Sequence, residues 1–301
     1  MDFKQLQCFV RVAELGSFAK ASDLLNVAQP TLSRQVRALE LELKTSLFHR
    51  NGRGVLLTPL GARFLEQAHG VLHAAEASLQ VLQVNERRLA GRVVCGMTPS
   101  VGQGMVLEYA RRFREKLPDA ILSVSSHMST ALHDQIRASK IDFAIVHGST
   151  PSAAVEITPL GRQSLFVIGT RPLGANKKSV SIRALANIPL VMPTESYAVR
   201  KMLELAANKA GISLNIRFEV DVMDAMYALV SDGIGHTIST QIATLSLPKG
   251  KALSVQKITT PALSSEVSLV TSSHRVMTPL QQHAAELAKA TFRDVFKLGG
   301  R

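Results

Sequence analysis

Phe18-Ala19-Lys20-Ala21-Ser22-Asp23-Leu24-Leu25-Asn26-Val27-Ala28-Gln29-Pro30-Thr31-Leu32-Ser33-Arg34-Gln35-Val36 decides the reading of this chain. Two short amphipathic segments meet at a tight turn near Asn26, which is how a helix-turn-helix aims its second helix into a DNA major groove. Phe18, Ala21 and Leu24-Leu25 fall at helical spacing and give the first segment a side to bury. Gln29-Pro30 opens the second segment, where the N–H that proline lacks has no intrahelical partner anyway. Leu32, Val36 and Leu39 then face inward, and Gln29, Thr31, Ser33, Arg34 and Arg37 are left outward. That outward set suits DNA, because Arg donates twice to guanine, Gln pairs with adenine, and Ser or Thr reaches phosphates. A merely solvated helix face has a similar composition. The next segment favours DNA: in 47–58, Leu-Phe-His-Arg-Asn-Gly-Arg-Gly-Val-Leu-Leu-Thr, two apolar runs flank a glycine-rich tip carrying Arg50 and Arg53. A basic hairpin beside a recognition helix makes a winged helix, whose wing places Arg in or near the minor groove.

The helix-turn-helix, the run Gln-Pro-Thr-Leu-Ser-Arg-Gln at 29–35, Leu-Phe-x-Arg at 47–50 and Leu-Thr-Pro-Leu-Gly at 57–61 resemble the N-terminal domain of LysR-type transcriptional regulators. The resemblance covers nearly every position from 1 to 61 and extends over the whole chain. It implies that Gln29, Pro30, Ser33 and Arg34 meet the major groove and that Arg50 and Arg53 serve the wing. Val101-Gly102, 109–118 and 215–221 look closest to the nitrogen assimilation control branch, which would make an effector dispensable.

Composition agrees. A chain of 301 residues with 46% hydrophobic content has room for more than one core, and a net charge of +12 favours a polyanionic partner. No run of about 18 apolar residues is present to span a membrane, and Met1-Asp2-Phe3-Lys4 lacks the pattern of a signal peptide, so a cytoplasmic location is expected. Two cysteines, Cys8 and Cys95, supply neither a disulfide framework nor a multi-cysteine zinc site.

After the winged helix (1–58), residues 59–90 read as a linker helix. Leu65, Leu72 and Leu79 repeat every seven residues, with Ala68, Ala75, Leu82 and Leu89 between or after them, as in a heptad seam. The alternative is one amphipathic helix lying on its own domain. The resemblance implies antiparallel linker helices joining two winged helices, so that a homodimer, or a tetramer built from it, reads a pseudo-palindromic operator in double-stranded DNA. RNA polymerase is a further partner in that picture.

From 91 to 301 the rhythm changes to strands at 92–96, 120–125, 143–146, 165–168, 190–192, 216–220, 236–239 and 266–270, alternating with helices at 106–116, 131–138, 199–210, 225–231 and 279–296. The expected fold is thus α/β and multidomain. By the resemblance its C-terminal part is a two-lobed effector domain similar to periplasmic binding proteins, with one lobe at 92–160 plus 268–301 and the other at 161–267. Ligands of such folds lie at the carboxyl ends of strands, between lobes. That rule selects Thr98, Pro99, Ser100, His127, Met128, Ser129, His147 and Gly148 from one lobe and Thr194, Ser196, Tyr197 and Arg200 from the other. Hydroxyls, helix N-termini and one Arg suit a small carboxylate or other organic anion as effector. Each has a plainer role as well: Ser129 and Ser196 as helix caps, Arg200 paired with Glu204 one turn on. His127 and His147 lack the Cys or acidic neighbours of a metal site, and neither metal nor cofactor is expected. Where relatives usually continue to Leu-Pro, this chain has Ser239-Thr240, a departure at the pocket edge.

The leading expectation is a sequence-specific DNA-binding regulator modulated by a small molecule. The different-class alternative is a soluble solute-binding or enzymatic α/β protein. No Gly-x-Ser-x-Gly elbow, phosphate-binding loop or His-Glu-x-x-His helix is present, so catalysis has no candidate constellation. A nonspecific DNA-packaging protein is a third class, distinguished by salt-dependent binding without sequence preference.

Overall fold

A computed structural model describes residues 1–51, 54–82, 89–149, 151–247 and 253–298. Helix α1 (Phe3–Leu15) starts with a capping box between Asp2 and Gln5 and ends at Gly16, whose φ of 59° is left-handed. Helix α2 (Phe18–Leu25) is capped by Ser17 and stopped by Asn26, also left-handed, which sets the tight turn into α3 (Gln29–Glu42). Leu32, Val36 and Leu39 are fully buried against Leu6, Phe9 and Val12 of α1. On α2 the buried face is Phe18, Ala21, Ser22 and Leu25, at steps of three, four and seven, so Leu24 is left exposed rather than buried as its spacing suggested.

Strands β1 (Phe48–Asn51) and β2 (Gly54–Leu57) pair antiparallel, Phe48 opposite Leu57. The wing is therefore a hairpin whose tip, including Arg53, lies outside the described residues. Thr58 ties it to the next helix: its hydroxyl donates to the Ser46 carbonyl and accepts from the Gly61 amide. A Cβ on Gly61 would stand 2.0 Å from the Leu47 carbonyl oxygen. Close backbone contact thus explains the small residue there.

Helix α4 (Pro59–Leu82) spans the expected seam from Leu65 to Leu82, of which the side chains of Leu79 and Leu82 lie outside the described residues. Ala68 is buried and Leu65 and Leu72 are half-buried against the core of the winged helix itself. The first heptads of the seam thus serve the domain they leave. The helix is described to Leu82, not to Leu89; Leu89 packs instead on the core of the following domain.

That domain begins with β3 (Gly91–Met97), α5 (Pro99–Lys116), β4 (Ala120–Ser126), α6 (Ser129–Arg137) and β5 (Phe143–His147). The three strands are parallel in the order β4-β3-β5, as alternating strands and helices require. Helix α5 starts seven residues before the expected Val106, at Pro99. Gly102 and Gly104 weaken its helical signal, and a Cβ on Gly104 would clash with the Ile242 carbonyl oxygen at 2.6 Å.

Then follow β6 (Val155–Gly169), β7 (Ser179–Ser181), β8 (Pro189–Met192), α7 (Ala198–Lys209), β9 (Asn215–Glu219), α8 (Met223–Ser231), β10 (Thr237–Thr240), β11 (Ser254–Thr260), β12 (Ser264–Ser272) and α9 (Pro279–Leu298). Strand β12 runs antiparallel between β5 and the first part of β6, up to Ser164; from Leu165 onward β6 pairs with β10 and β11. One strand therefore serves both lobes. The expected boundaries at 160 and 268 fall inside these paired runs, and the partner exchange on β6 comes at Ser164 and Leu165. Each lobe has its own core, around Phe143, Tyr109 and Phe292 in the first and Leu190, Leu203 and Ile258 in the second.

Candidate functional site

Two surfaces bring the expected residues together. On α3, Gln29, Pro30, Arg34 and Arg37 are exposed, and Thr31 and Ser33 are half-exposed. Arg34 touches the Thr31 hydroxyl at 3.4 Å and carries no ion pair among the described residues, so its guanidinium is available to an outside acceptor. Pro30 sits in the first turn, as its missing N–H favours. Arg50 is on β1 opposite Val55.

The second surface is the cleft between lobes. Thr98 precedes α5 and is buried, its amide donating to the Ile145 carbonyl and its hydroxyl lacking a partner among the described residues. Pro99 and Ser100 open that helix. A narrow cavity joins Ser100 to Pro193, Tyr197, Val199, Asp221 and Thr240, and its free space of about 30 Å³ is water-sized. An open mouth of about 390 Å³ continues past Pro99, Gln103, Met128, Asp221 and Asp224. The Gln103 amide donates to Asp224 at 2.6 Å, tying α5 of one lobe to α8 of the other.

The remaining expected residues divide. Tyr197 lines both spaces, and its hydroxyl donates to the Asp221 carbonyl at 3.1 Å. Burial and the Asp221 carboxylate both raise the Tyr197 phenol above its ordinary pKa, so the hydroxyl stays protonated. Thr194 gives its amide and hydroxyl to Asp221, and Ser196 lies 3.0 Å from the Thr194 hydroxyl. Gly148 has a left-handed φ of 63°, and a Cβ there would meet Ala198 across the cleft at 3.4 Å.

Four residues do not do what spacing suggested. Ser129 donates to the His147 carbonyl at 2.7 Å rather than capping its helix. His147 is buried with Nδ1 3.1 Å from the Ser265 hydroxyl, and desolvation pushes its pKa down to about 4, so it is neutral at pH 7. His127 is exposed at the end of β4, and no metal-holding cluster of three or more His, Cys, Asp or Glu occurs among the described residues. Arg200 departs furthest: only 4% exposed, it bonds Glu204 at 2.6 Å, Glu219 at 3.1 Å and the Pro193 carbonyl at 2.9 Å. Its charge is neutralised inside the second lobe.

The reading of the cleft as an anion site therefore loses its cation. No Lys, Arg or His is among the residues that line either space, whereas Asp221 and Asp224 are. Sequence reasoning passed over both acids and Gln103. The same strand-end rule applied to β9 would have reached Asp221, two residues past Glu219.

The family models match in two parts. Residues 3–62 match the bacterial regulatory helix-turn-helix protein of the lysR family, and residues 86–293 match the LysR substrate binding domain. The chain belongs to the LysR family of transcriptional regulators. This LysR-family chain is 29% identical over 289 residues to the nitrogen assimilation regulatory protein nac of Klebsiella aerogenes, covering 95% of this chain and 94% of that protein. It is 24% identical to the hydrogen peroxide-inducible genes activator of Haemophilus influenzae, covering 98% and 97%. In fold, the LysR-family chain is similar to full-length OxyR of Pseudomonas aeruginosa (TM-score 0.81, 22% identity, 97% and 95% covered). CbnR in complex with its target DNA also matches (TM-score 0.66, 22% identity, 97% and 100% covered). The chain is thus a DNA-binding regulator with an effector-binding domain, and no helix among the described residues is long and apolar enough to cross a membrane.

Proposed function

We propose that two copies of this chain, paired through α4 and assembling further into a tetramer, read a pseudo-palindromic operator in the cytoplasm. Helix α3 enters the major groove with Gln29, Pro30, Thr31, Ser33, Arg34 and Arg37, and the wing residues Arg50 and Arg53 flank it. A small molecule in the inter-lobe cleft biases the lobes and so the bound assembly and its contact with RNA polymerase. The observation that carries the DNA reading is the division of α3 into a fully buried apolar face and an exposed face whose two arginines, Arg34 and Arg37, form no ion pair among the described residues. Gel shifts with the DNA upstream of the gene test it: tight binding to one segment, competed poorly by unrelated duplex, is the expected result. Equal competition by any duplex would place the protein in the packaging class.

A second reading, regulation without an effector, is favoured by the tightness of the inner cavity. Footprints of the protein with and without the low-molecular-weight ultrafiltrate of a cell extract separate the two.

A further inference from the structure

We propose that the inter-lobe cleft takes a small organic cation, an ammonium or guanidinium on an apolar body, with Asp221 and Asp224 as its charge partners. The proposal rests on the reading of the cleft as the effector site and names the class of ligand.

The charges lining the cleft are of one sign. Asp221 lines both the inner cavity and the mouth, Asp224 lines the mouth, and the lining contains no cation. An anion placed there would meet a carboxylate with no cationic side chain in the lining to offset it, whereas a cation would gain a charge-assisted hydrogen bond. Asp221 is oriented for this. The Thr194 amide and hydroxyl hold the carboxylate from one side at 2.9 and 3.0 Å, and a carboxylate with about four acceptor sites keeps capacity on the other.

The inner wall adds a buried polar group beside the water-sized cavity. Thr240 is fully buried, lines the cavity, and its hydroxyl has no hydrogen-bond partner among the described residues. An unsatisfied buried hydroxyl is costly, and a space of this size lets one water link it to a ligand seated in the mouth. The rest of the lining fits the body of such a ligand: Met223, Met226 and Met128 are polarizable and adaptable, and Tyr197 offers an aromatic face to a cation.

Binding and lobe orientation are coupled through Asp224. Its carboxylate accepts from Gln103 of the opposite lobe, and a ligand cation at the mouth competes with that amide for the same oxygens. An occupied cleft therefore trades a direct tie between lobes for one made through the ligand.

The test uses three probes that share a phenyl group on a short chain: phenethylammonium, phenethyl alcohol and 3-phenylpropionate. Each is titrated into the full-length protein by calorimetry and followed by amide NMR shifts at Tyr197, Asp221 and Thr240. The expected result is that the ammonium binds most tightly, shifts those amides, and loses at least about tenfold in affinity in Asp221→Asn/Asp224→Asn, in which the Asn oxygens still accept from Thr194 and Gln103 and a wild-type melting temperature checks the fold. Tighter binding of the propionate, an unchanged affinity in the double variant, or no shift with the ammonium would each overturn the proposal. A Ser100→Trp variant that melts normally and still regulates as wild type in cells would instead remove the cleft as the effector site, whatever probe it binds.

Discussion

Arg34 and Arg200 carry the same group in opposite settings, and their substitution should fail in opposite ways. Arg34→Ala should cost about 1–3 kcal/mol in specific DNA binding and relax preference at one base per half-site, with the melting temperature unchanged. Quantitative footprinting on wild-type and single-base-variant operators measures this; equal affinity would displace the recognition face from α3. Arg200→Ala should leave DNA contacts alone and destabilise the second lobe by about 1–3 kcal/mol, since Glu204 and Glu219 lose their partner but stay partly solvated. Thermal melts decide it. His147 gives a pH dependence with a definite sign. Its folded pKa of about 4 lies below the ordinary 6.5, so the unfolded chain binds the extra proton, and stability falls as pH drops from about 6.5 towards 4. The loss amounts to about 3 kcal/mol over that window, and His147→Gln should flatten it in urea melts. Residue type and strand-end position were enough to find Ser100, Tyr197 and Thr194 near the cleft. They could not distinguish an arginine that lines a cleft from one that neutralises two acids behind it, because Glu219 reaches Arg200 only through the packing of β9 against β8.

At the scale of elements, α3 was legible from its proline start and apolar stripe, and α7 from an apolar stripe closed by Gly211. Strand β6 was not. Its first half mixes exposed and half-buried residues and contains Pro159 and Gly161, and β12 takes a register shift there, with Ser268 opposite Pro159 and Val267 opposite Gly161. Helix α4 shows the converse difficulty: a seam legible as a repeat hides what its members touch. Because Leu72 is half-buried on the winged helix's own core, Leu72→Glu should lower the melting temperature of the N-terminal domain as well as weaken dimers. Sedimentation and differential scanning calorimetry on the same sample separate the effects, and an early melt with intact dimers would assign α4's first turns to the domain alone. Gly61→Ala should be worse, by more than about 2 kcal/mol, since the added methyl meets backbone that cannot yield.

Across the whole molecule the tie between Gln103 and Asp224 spans the lobes and is exposed to solvent. Gln103→Ala should leave each lobe's core as stable as before yet broaden the lobe separation seen by small-angle scattering or by spin labels placed one on each lobe. An unchanged distance distribution would show that the cores, not this contact, hold the lobes. Resistance to that broadening comes from β6 and β12, hydrogen-bonded to each other along the stretch where the chain passes between lobes. A paired ribbon of this kind is stiff in extension, because pulling it apart means breaking ladder bonds, but compliant in torsion, because twist spreads over many backbone angles. The lobes can thus be wrung against one another far more readily than drawn apart, and whatever occupies the cleft should be read out at the DNA as rotation.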